Sequence, residues 1–221
     1  GDTGIGTIKI KSAAFRPEWD VRVLSALREA FGPKMKLRID PNAAYTPAQA
    51  VNLFRRLDPL GLEYFEDPTA DIEGMARLRR FVRTPLATNM CVIQFEHLPP
   101  AIRLGAVDIV LGDVYHWGGV SAVRDLIAVC DAFGLGFGIH STLESEWDIG
   151  VAANIHIAAA APSAEMAIDG HFPSAAGGIV QGDPLAVKDG AIAVPEGAGL
   201  GITLDDAKVD ALSVDRFEAT L

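Results

Sequence analysis

At 221 residues, with 49% hydrophobic and 22% charged side chains, the chain has ordinary globular composition, which excludes a disordered, collagenous or disulfide-stapled protein. A domain of this length buries roughly 70% or more of its unfolded surface, so a metal, where one binds, serves chemistry rather than folding. The formal net charge of -10 lacks the basic footprint of a nucleic-acid or anionic-membrane surface, yet allows a small anionic substrate where positive charge gathers locally.

Cys91 and Cys130 are too few for a disulfide framework and are not spaced as a zinc clip, so a reducing, cytoplasmic setting is expected with both thiols in the core. No apolar run reaches the roughly 18 residues that span a bilayer. The longest candidate, Ile127 to Ile139, is broken by Asp131 and Gly134. No basic region followed by an apolar stretch is visible at the start, so no signal peptide is expected.

In chain order, short β-branched runs alternate with amphipathic helical stretches, the pattern of a parallel sheet crossed over by helices. Seven strands are predicted: Thr7 to Lys11, Lys36 to Asp40, Leu62 to Glu66, Pro85 to Asn89, Asp108 to Asp113, Leu135 to His140 and Ala164 to Asp169. The helices between them are Trp19 to Phe31, one opening at Thr46, Gly74 to Val82, Glu96 to Leu104, Val120 to Phe133 and Glu146 to Ala161. Thr46 reads as an N-cap, Pro47 fits the first helical position, Gln49 completes a capping box, and Leu53, Leu57 and Leu60 form the buried side.

Each predicted strand ends in a residue able to do chemistry, and these residues recur every 23 to 29 positions, from the short step Glu66 to Asn89 to the long step Lys11 to Asp40. That interval is one βα unit, and the carboxyl ends of parallel strands are where a (β/α)8 barrel or an open α/β sheet builds its site. No glycine-rich phosphate loop follows a strand, since Gly4-Ile-Gly6 precedes one, which favours the barrel over the doubly wound sheet. Residues 1–176 are expected to form the barrel domain. Residues 177–221, with Gly178-Ile-Val180, Ala191 to Val194 and Gly197 to Gly201 as short strands and turns, are expected to be a tail that completes the barrel or packs on a neighbouring domain. Asp205 and Asp206 read as a helix start.

Lys9 and Lys11 point to one face of their strand. Set side by side they would depress each other's pKa and make a base; the alternative is a solvated edge strand. Asp40, Glu66 and Asn89 end three successive strands and offer oxygen-only ligation, which suits one magnesium ion, although each alone could cap the next helix. Asp113 and His140 end the next two strands, so a hydrogen bond between them would hold the imidazole as a general acid or base. His97 and His156, within helices, read as structural. Asp169 and His171 could contact substrate, and Tyr115, His116, Trp117 and Trp147 either line the pocket or pack under loops.

These residues resemble the barrel domain of the enolase superfamily, in its mandelate racemase and muconate lactonizing enzyme branch, and most of all the glucarate dehydratase subgroup. Lys9-Ile-Lys11 is similar to the K-x-K of the second barrel strand. Asp40-Pro-Asn42 and Glu66-Asp-Pro68 resemble the next two metal-ligand strands, and Ala87-Thr-Asn-Met90 resembles the subgroup's asparagine ligand. Asp113 and His140 fall at its Asp–His dyad, and Ala167-Ile-Asp-Gly-His171 at its last strand. The resemblance runs from about Thr7 to Leu204. After His140, the run Ser141 to Asp148 is longer than the asparagine-rich turn of glucarate dehydratases and differently substituted.

The resemblance implies a magnesium-dependent acid-sugar dehydratase. Lys11 would be one base with Lys9 as its electrostatic partner, and His140, oriented by Asp113, would be the base of the opposite face and the acid for the leaving hydroxide. Asn42, Ser141, Thr142, Asp169 and His171, with Lys9, would bind substrate. The alternatives are a racemase or epimerase of a hydroxy acid on the same site and a non-catalytic barrel subunit. It also implies a small-molecule carboxylate sugar acid as partner, a homo-oligomer, an N-terminal capping domain, and a first strand lying before Gly1, because K-x-K belongs on the second.

Overall fold

A computed structural model describes residues 4–12, 16–141, 148–161, 166–170 and 178–215. Six strands form one parallel sheet in sequential order: β1 (Thr7–Lys11), β2 (Lys36–Asp40), β3 (Tyr64–Glu66), β4 (Leu86–Thr88), β5 (Ile109–Gly112) and β6 (Gly136–Ile139). Sequential order with helical crossovers curls the sheet into a half-barrel of α/β type. Beyond β6, Met166–Gly170 is not in a strand, but the Asp169 N–H donates to the Ile139 carbonyl (3.1 Å) and so lies beside β6. The seventh strand expected over Ala164 to Asp169 is thus corrected to one cross-strand bond among its described residues; 162–165 lie outside them.

The outer layer consists of α1 (Pro17–Phe31), α2 (Pro47–Leu57), α3 (Ile72–Arg79), α4 (Leu98–Leu104), the short α5 (Val114–Trp117), α6 (Val120–Phe133), α7 (Ile149–Ala160) and α8 (Asp206–Leu212). The capping box at Thr46 is present: Thr46 accepts from the Gln49 N–H and Gln49 accepts from the Thr46 N–H (3.0 Å). Leu53 and Leu57 are buried below it. Helix α3 starts two residues earlier than expected because the Asp71 side chain accepts the Gly74 N–H (2.6 Å) and caps it. The stretch from Glu96 splits into a 3₁₀ turn, Phe95–His97, and α4, whose first turn carries Pro99 and Pro100. Helix α7 begins at Ile149; the residues expected ahead of Asp148 lie outside the described ones.

Strand alternation separates two apolar regions. Leu37, Ile39, Phe65, Leu86, Val110, Phe137 and Ile139 face outward into the main core under the helices. Tyr64, Ala87, Ile109 and Leu111 face inward, where Met166 packs on them. Gly112 is required by this packing, since a Cβ there would stand 2.8 Å from Leu126 of α6 and 3.0 Å from Phe137. Arg38 also points inward and is almost wholly buried. Its Nε donates to Glu63 (2.5 Å), its Nη1 to the Ala167 carbonyl (2.9 Å), and its guanidinium lies over the Tyr64 ring (4.7 Å).

The tail forms no strands over 191–194 or 197–201, only isolated bridges, Val180 with Leu204 and Lys188 with Ala191. It is pinned to α7 by the Leu200 carbonyl on His156 Nε2 (3.1 Å) and by the Val180 N–H on the Asp148 carboxylate (3.0 Å). It also crosses the start of the chain. A Cβ on Gly4 would lie 2.4 Å from the Asp189 carbonyl carbon, and one on Gly190 2.2 Å from the Gly4 oxygen, both glycines having positive φ. Asp205 caps α8 through the Lys208 N–H (3.2 Å), as its sequence suggests. No helix among the described residues is long and apolar enough to cross a membrane.

Candidate active site

The parity that points Arg38 and Tyr64 into the barrel also points inward Lys9, level with Arg38, and, two residues further along at the carboxyl ends of their strands, Lys11, Asp40, Glu66, Asn89 and Asp113. Asp40 and Glu66 are wholly buried, and Asn89, Asp113 and His140 nearly so. Tight turns hold them there. Asp40 Oδ1 accepts the Asn42 N–H (2.8 Å), with Asn42 and Ala43 both at positive φ. The next turn is held by the Ala43 N–H on the Asp67 carbonyl (2.7 Å).

Lys9 sits among carboxylates. Its Nζ donates to Glu66 Oε2 (2.9 Å) and to Asp169, and lies 3.9 Å from Asp40, while Lys11 pairs with Asp40. Burial works against the Lys9 ammonium, but Glu66, Asp169 and Asp40 outweigh it and raise the pKa above the ordinary lysine value. The expectation that the two lysines lower each other's pKa is therefore corrected at Lys9, whose near neighbours are negative. Burial pushes the Glu66 carboxyl up to about 8, helped by the charges of Asp40 and Asp169 and opposed by Lys9.

Asn89 Nδ2 donates to Glu66 Oε1 (3.1 Å), so the second and third proposed ligands touch, and Lys9 lies between the first and second. The chemistry of this donor set fits magnesium: two buried carboxylates and an amide oxygen are hard ligands, and buried like charges gain from a divalent cation.

On the far side of the row, Asp113 Oδ2 faces His140 Nδ1 at 2.8 Å, so the expected pair is present. Burial would raise the Asp113 carboxyl, but hydrogen bonds from His140 and His116 hold it below the usual carboxylate range. One ring nitrogen of His140 lies within 4.8 Å of carboxylate oxygens of Glu66 and Asp169, the two acids that hold Lys9. Lysine and histidine thus approach the same carboxylates from opposite ends of the strand row.

Of the expected substrate contacts, Asn42 is a turn residue whose amide also reaches the Met90 sulfur (3.6 Å), Asp169 is bonded to Lys9, and Ser141 is buried with its hydroxyl unbonded among the described residues. Thr142, His171 and Trp147 lie outside the described residues. Trp117 packs edge-on against Phe95 (5.3 Å) and Tyr115 is exposed, so neither pocket-lining assignment gains a contact. His97 accepts the Ile93 N–H (3.3 Å) and His156 meets the tail, both structural as expected.

For two residues of the site the role escapes sequence reasoning: Asp67, quoted only within Glu66-Asp-Pro68, and His116, expected only to line the pocket or pack under loops. Asp67, with φ +33, accepts from the Thr88 hydroxyl (2.5 Å) and the backbone N–H groups of Asn89 (2.7 Å) and Met90 (3.2 Å), tying the ends of β3 and β4 together. Burial pushes its carboxyl up to about 6 against those bonds. Its signal was an acid squeezed between Glu66 and Pro68. His116 is the other; its signal was a position three residues after a strand-end aspartate, where an N-capped turn begins.

Fold and site define the class as an α/β-barrel domain that gathers lysines, carboxylates and an Asp–His pair at the carboxyl ends of its strands. The chain belongs to the enolase C-terminal domain-like family, whose sequence model matches residues 2–208. A probable glucarate dehydratase of Streptomyces coelicolor is 38% identical over 202 residues, 91% of this chain and 46% of that one. An N-succinylamino acid racemase of an Amycolatopsis species is 34% identical, over 91% of this chain and 53% of its own.

Among solved structures, an enolase of Mycobacterium smegmatis in complex with tartrate is 42% identical with a TM-score of 0.90, covering 96% of this chain and 50% of that one. An enolase of Gibberella zeae in complex with magnesium, formate and sulfate is 39% identical with a TM-score of 0.89, covering 95% and 48%. The chain thus spans about half the length of the curated relatives it matches, and those relatives carry both dehydratase and racemase names.

Proposed function

We propose that the full polypeptide removes the proton next to the carboxylate of a hydroxylated acid and, with an acid sugar, expels the β-hydroxyl as water to give a 2-keto-3-deoxy acid. The observation that carries this reading is the convergence of Lys9 and His140 on Glu66 and Asp169, with Lys11 on Asp40 beside them. Two proton-handling groups, Lys11 and His140, on opposite sides of a cluster of buried acids, with Lys9 as a fixed positive charge among them, suit a substrate carbon held between them.

Asp40, Glu66 and Asn89 would hold one magnesium ion, which when bound supplies a Lewis acid to the substrate carboxylate. Lys11, the more exposed lysine, takes the proton on its side. Lys9, kept charged by its carboxylates, stays an ammonium that favours negative charge developing on substrate oxygen. His140 presents Nε2 because Asp113 holds Nδ1, so it can give a proton to the departing hydroxide. The dehydratase names of relatives favour elimination, and the tartrate bound to the Mycobacterium smegmatis neighbour favours a hydroxylated diacid.

The test is a panel of aldonic and aldaric acids incubated with the full-length protein, with magnesium and with chelator, in deuterated water. A keto acid trapped by semicarbazide is expected. Exchange with change of configuration and no keto acid would make the protein a racemase or epimerase, the second reading that the racemase name supports. Metal-dependent turnover and exchange both absent with every acid would overturn the enzyme reading. Asn89 leaves the site one charge more positive than an aspartate would, so Asn89→Asp is expected to lower diacid turnover more than monoacid turnover; equal turnover of diacids by the variant removes the charge argument.

A further inference from the structure

The proposed chemistry uses Asp113 and His140 and gives no role to His116, which binds the same carboxylate oxygen. His116 Nδ1 lies 2.7 Å from Asp113 Oδ2, and His140 Nδ1 lies 2.8 Å from it. The other oxygen, Oδ1, accepts the backbone N–H groups of Tyr115 (2.8 Å) and His116 (2.7 Å). A carboxylate has about four acceptor positions, and here all four are taken. The two imidazoles are 5.7 Å apart between ring centres, with His140 buried and His116 reaching solvent. Since an ionised carboxylate only accepts, both Nδ1 atoms carry hydrogen and neither Nε2 is engaged by Asp113.

We propose that His116 is a positioning residue that shares Asp113 with His140 and so limits how strongly the aspartate holds the His140 Nδ1 proton. The proposal rests on His140 being the histidine base of the proposed function. A base that must also return its proton as an acid cannot be held too firmly in the imidazolium form, and a second donor on the same oxygen spreads the carboxylate's charge. The groups facing His140 are Asp113 from the end of β5, Glu66 from β3 and Asp169 from beside β6, with Lys9 between the last two. Those facing His116 are Asp113, the Tyr115 ring at 5.3 Å and the His140 ring at 5.7 Å. Replacing His116 alters one of these contacts to Asp113 and none to Glu66, Asp169 or Lys9.

The test compares His116→Phe, which keeps a ring and loses the donor, with His116→Asn, which keeps a donor at the Nδ1 position, both in the full-length protein labelled with 15N-histidine. In His116→Phe the His140 Nδ1 proton resonance is expected to move downfield and kcat to fall severalfold, with KM changed less than about twofold. His116→Asn is expected to restore both. An unmoved His140 resonance in His116→Phe, or an asparagine variant that behaves like phenylalanine, would overturn the proposal. Should the wild-type protein turn over no acid, the proposed function fails while the resonance shift still decides the sharing of Asp113.

Discussion

Glu63 shows how one residue supports the site from below. Burial works against its charge, but Arg38 and Lys36 hold its carboxyl below the usual range. A depressed carboxyl contributes stability that is complete above the ordinary glutamate pKa and is lost as pH falls through the folded value. Glu63→Gln leaves Arg38 buried without its counter-charge and is expected to cost about 2–4 kcal/mol at pH 7. The gap from wild type should shrink when denaturation is repeated near pH 3; a gap that stays constant would show that Glu63 acts by packing and not by charge. At the mouth, Asp113→Asn is expected to cost roughly 10²–10⁴-fold in kcat, because an amide can fix the wrong tautomer of His140. Unchanged kcat would remove His140 from the reaction. Residue types at strand ends were readable in the sequence, but their charge states were not: Lys9 was set against Lys11 in sequence and against Glu66 and Asp169 in space, and only Lys11 is a sequence neighbour.

At the scale of elements, legibility follows locality. The capping box of α2 lies within four residues, so Thr46, Pro47 and Gln49 declare it. Thr46→Ala is expected to cost about 1 kcal/mol in chemical denaturation, with no change in substrate kinetics. Strands β1 and β2 have the predicted bounds because all five residue pairs of their register are in the ladder. Strand β3 ends at Glu66 as predicted but starts two residues later, and β4 loses one residue at each end; past Thr88 the backbone N–H groups of Asn89 and Met90 turn to the Asp67 carboxylate instead of extending the ladder. The last barrel segment misled for the opposite reason. Ala167-Ile-Asp169 has a strand pattern, but its described polar groups are committed across the barrel, the Asp169 carboxylate to Lys9 and the Ala167 backbone carbonyl to Arg38, with one ladder bond remaining.

For the whole molecule, the sheet is a half-barrel whose ligand candidates come from the ends of three adjacent strands, so a cation bound there adds a tie between elements already paired in the ladder. Magnesium at about 100 times its Kd would stabilise the folded full-length protein by about 2.7 kcal/mol if the unfolded chain does not bind it. A rise in Tm with magnesium is expected, reversed by chelator and absent in Asp40→Asn; a Tm indifferent to magnesium would count against the ligand assignment independently of activity. The fold class was legible from spacing because strand-end residues recur at βα intervals, and the family from the motifs at those ends, whereas the reaction was not, since the chain matches relatives named for dehydration and for racemisation.

The crossing of Gly4 and Gly190 places the start of the chain against its tail with nearly all the described residues between them. A contact of such long range closes a loop of nearly all the described residues without a covalent link, at a correspondingly high cost in chain entropy. It should therefore form after the sheet, as a clasp and not as part of the folding nucleus. Gly190→Ala, which forces the two backbones apart at a positive φ, is expected to speed unfolding while leaving the refolding rate nearly unchanged. The two backbones would then be the first part of this domain to separate under heat, releasing the tail from β1 while the row of strand-end side chains is still assembled.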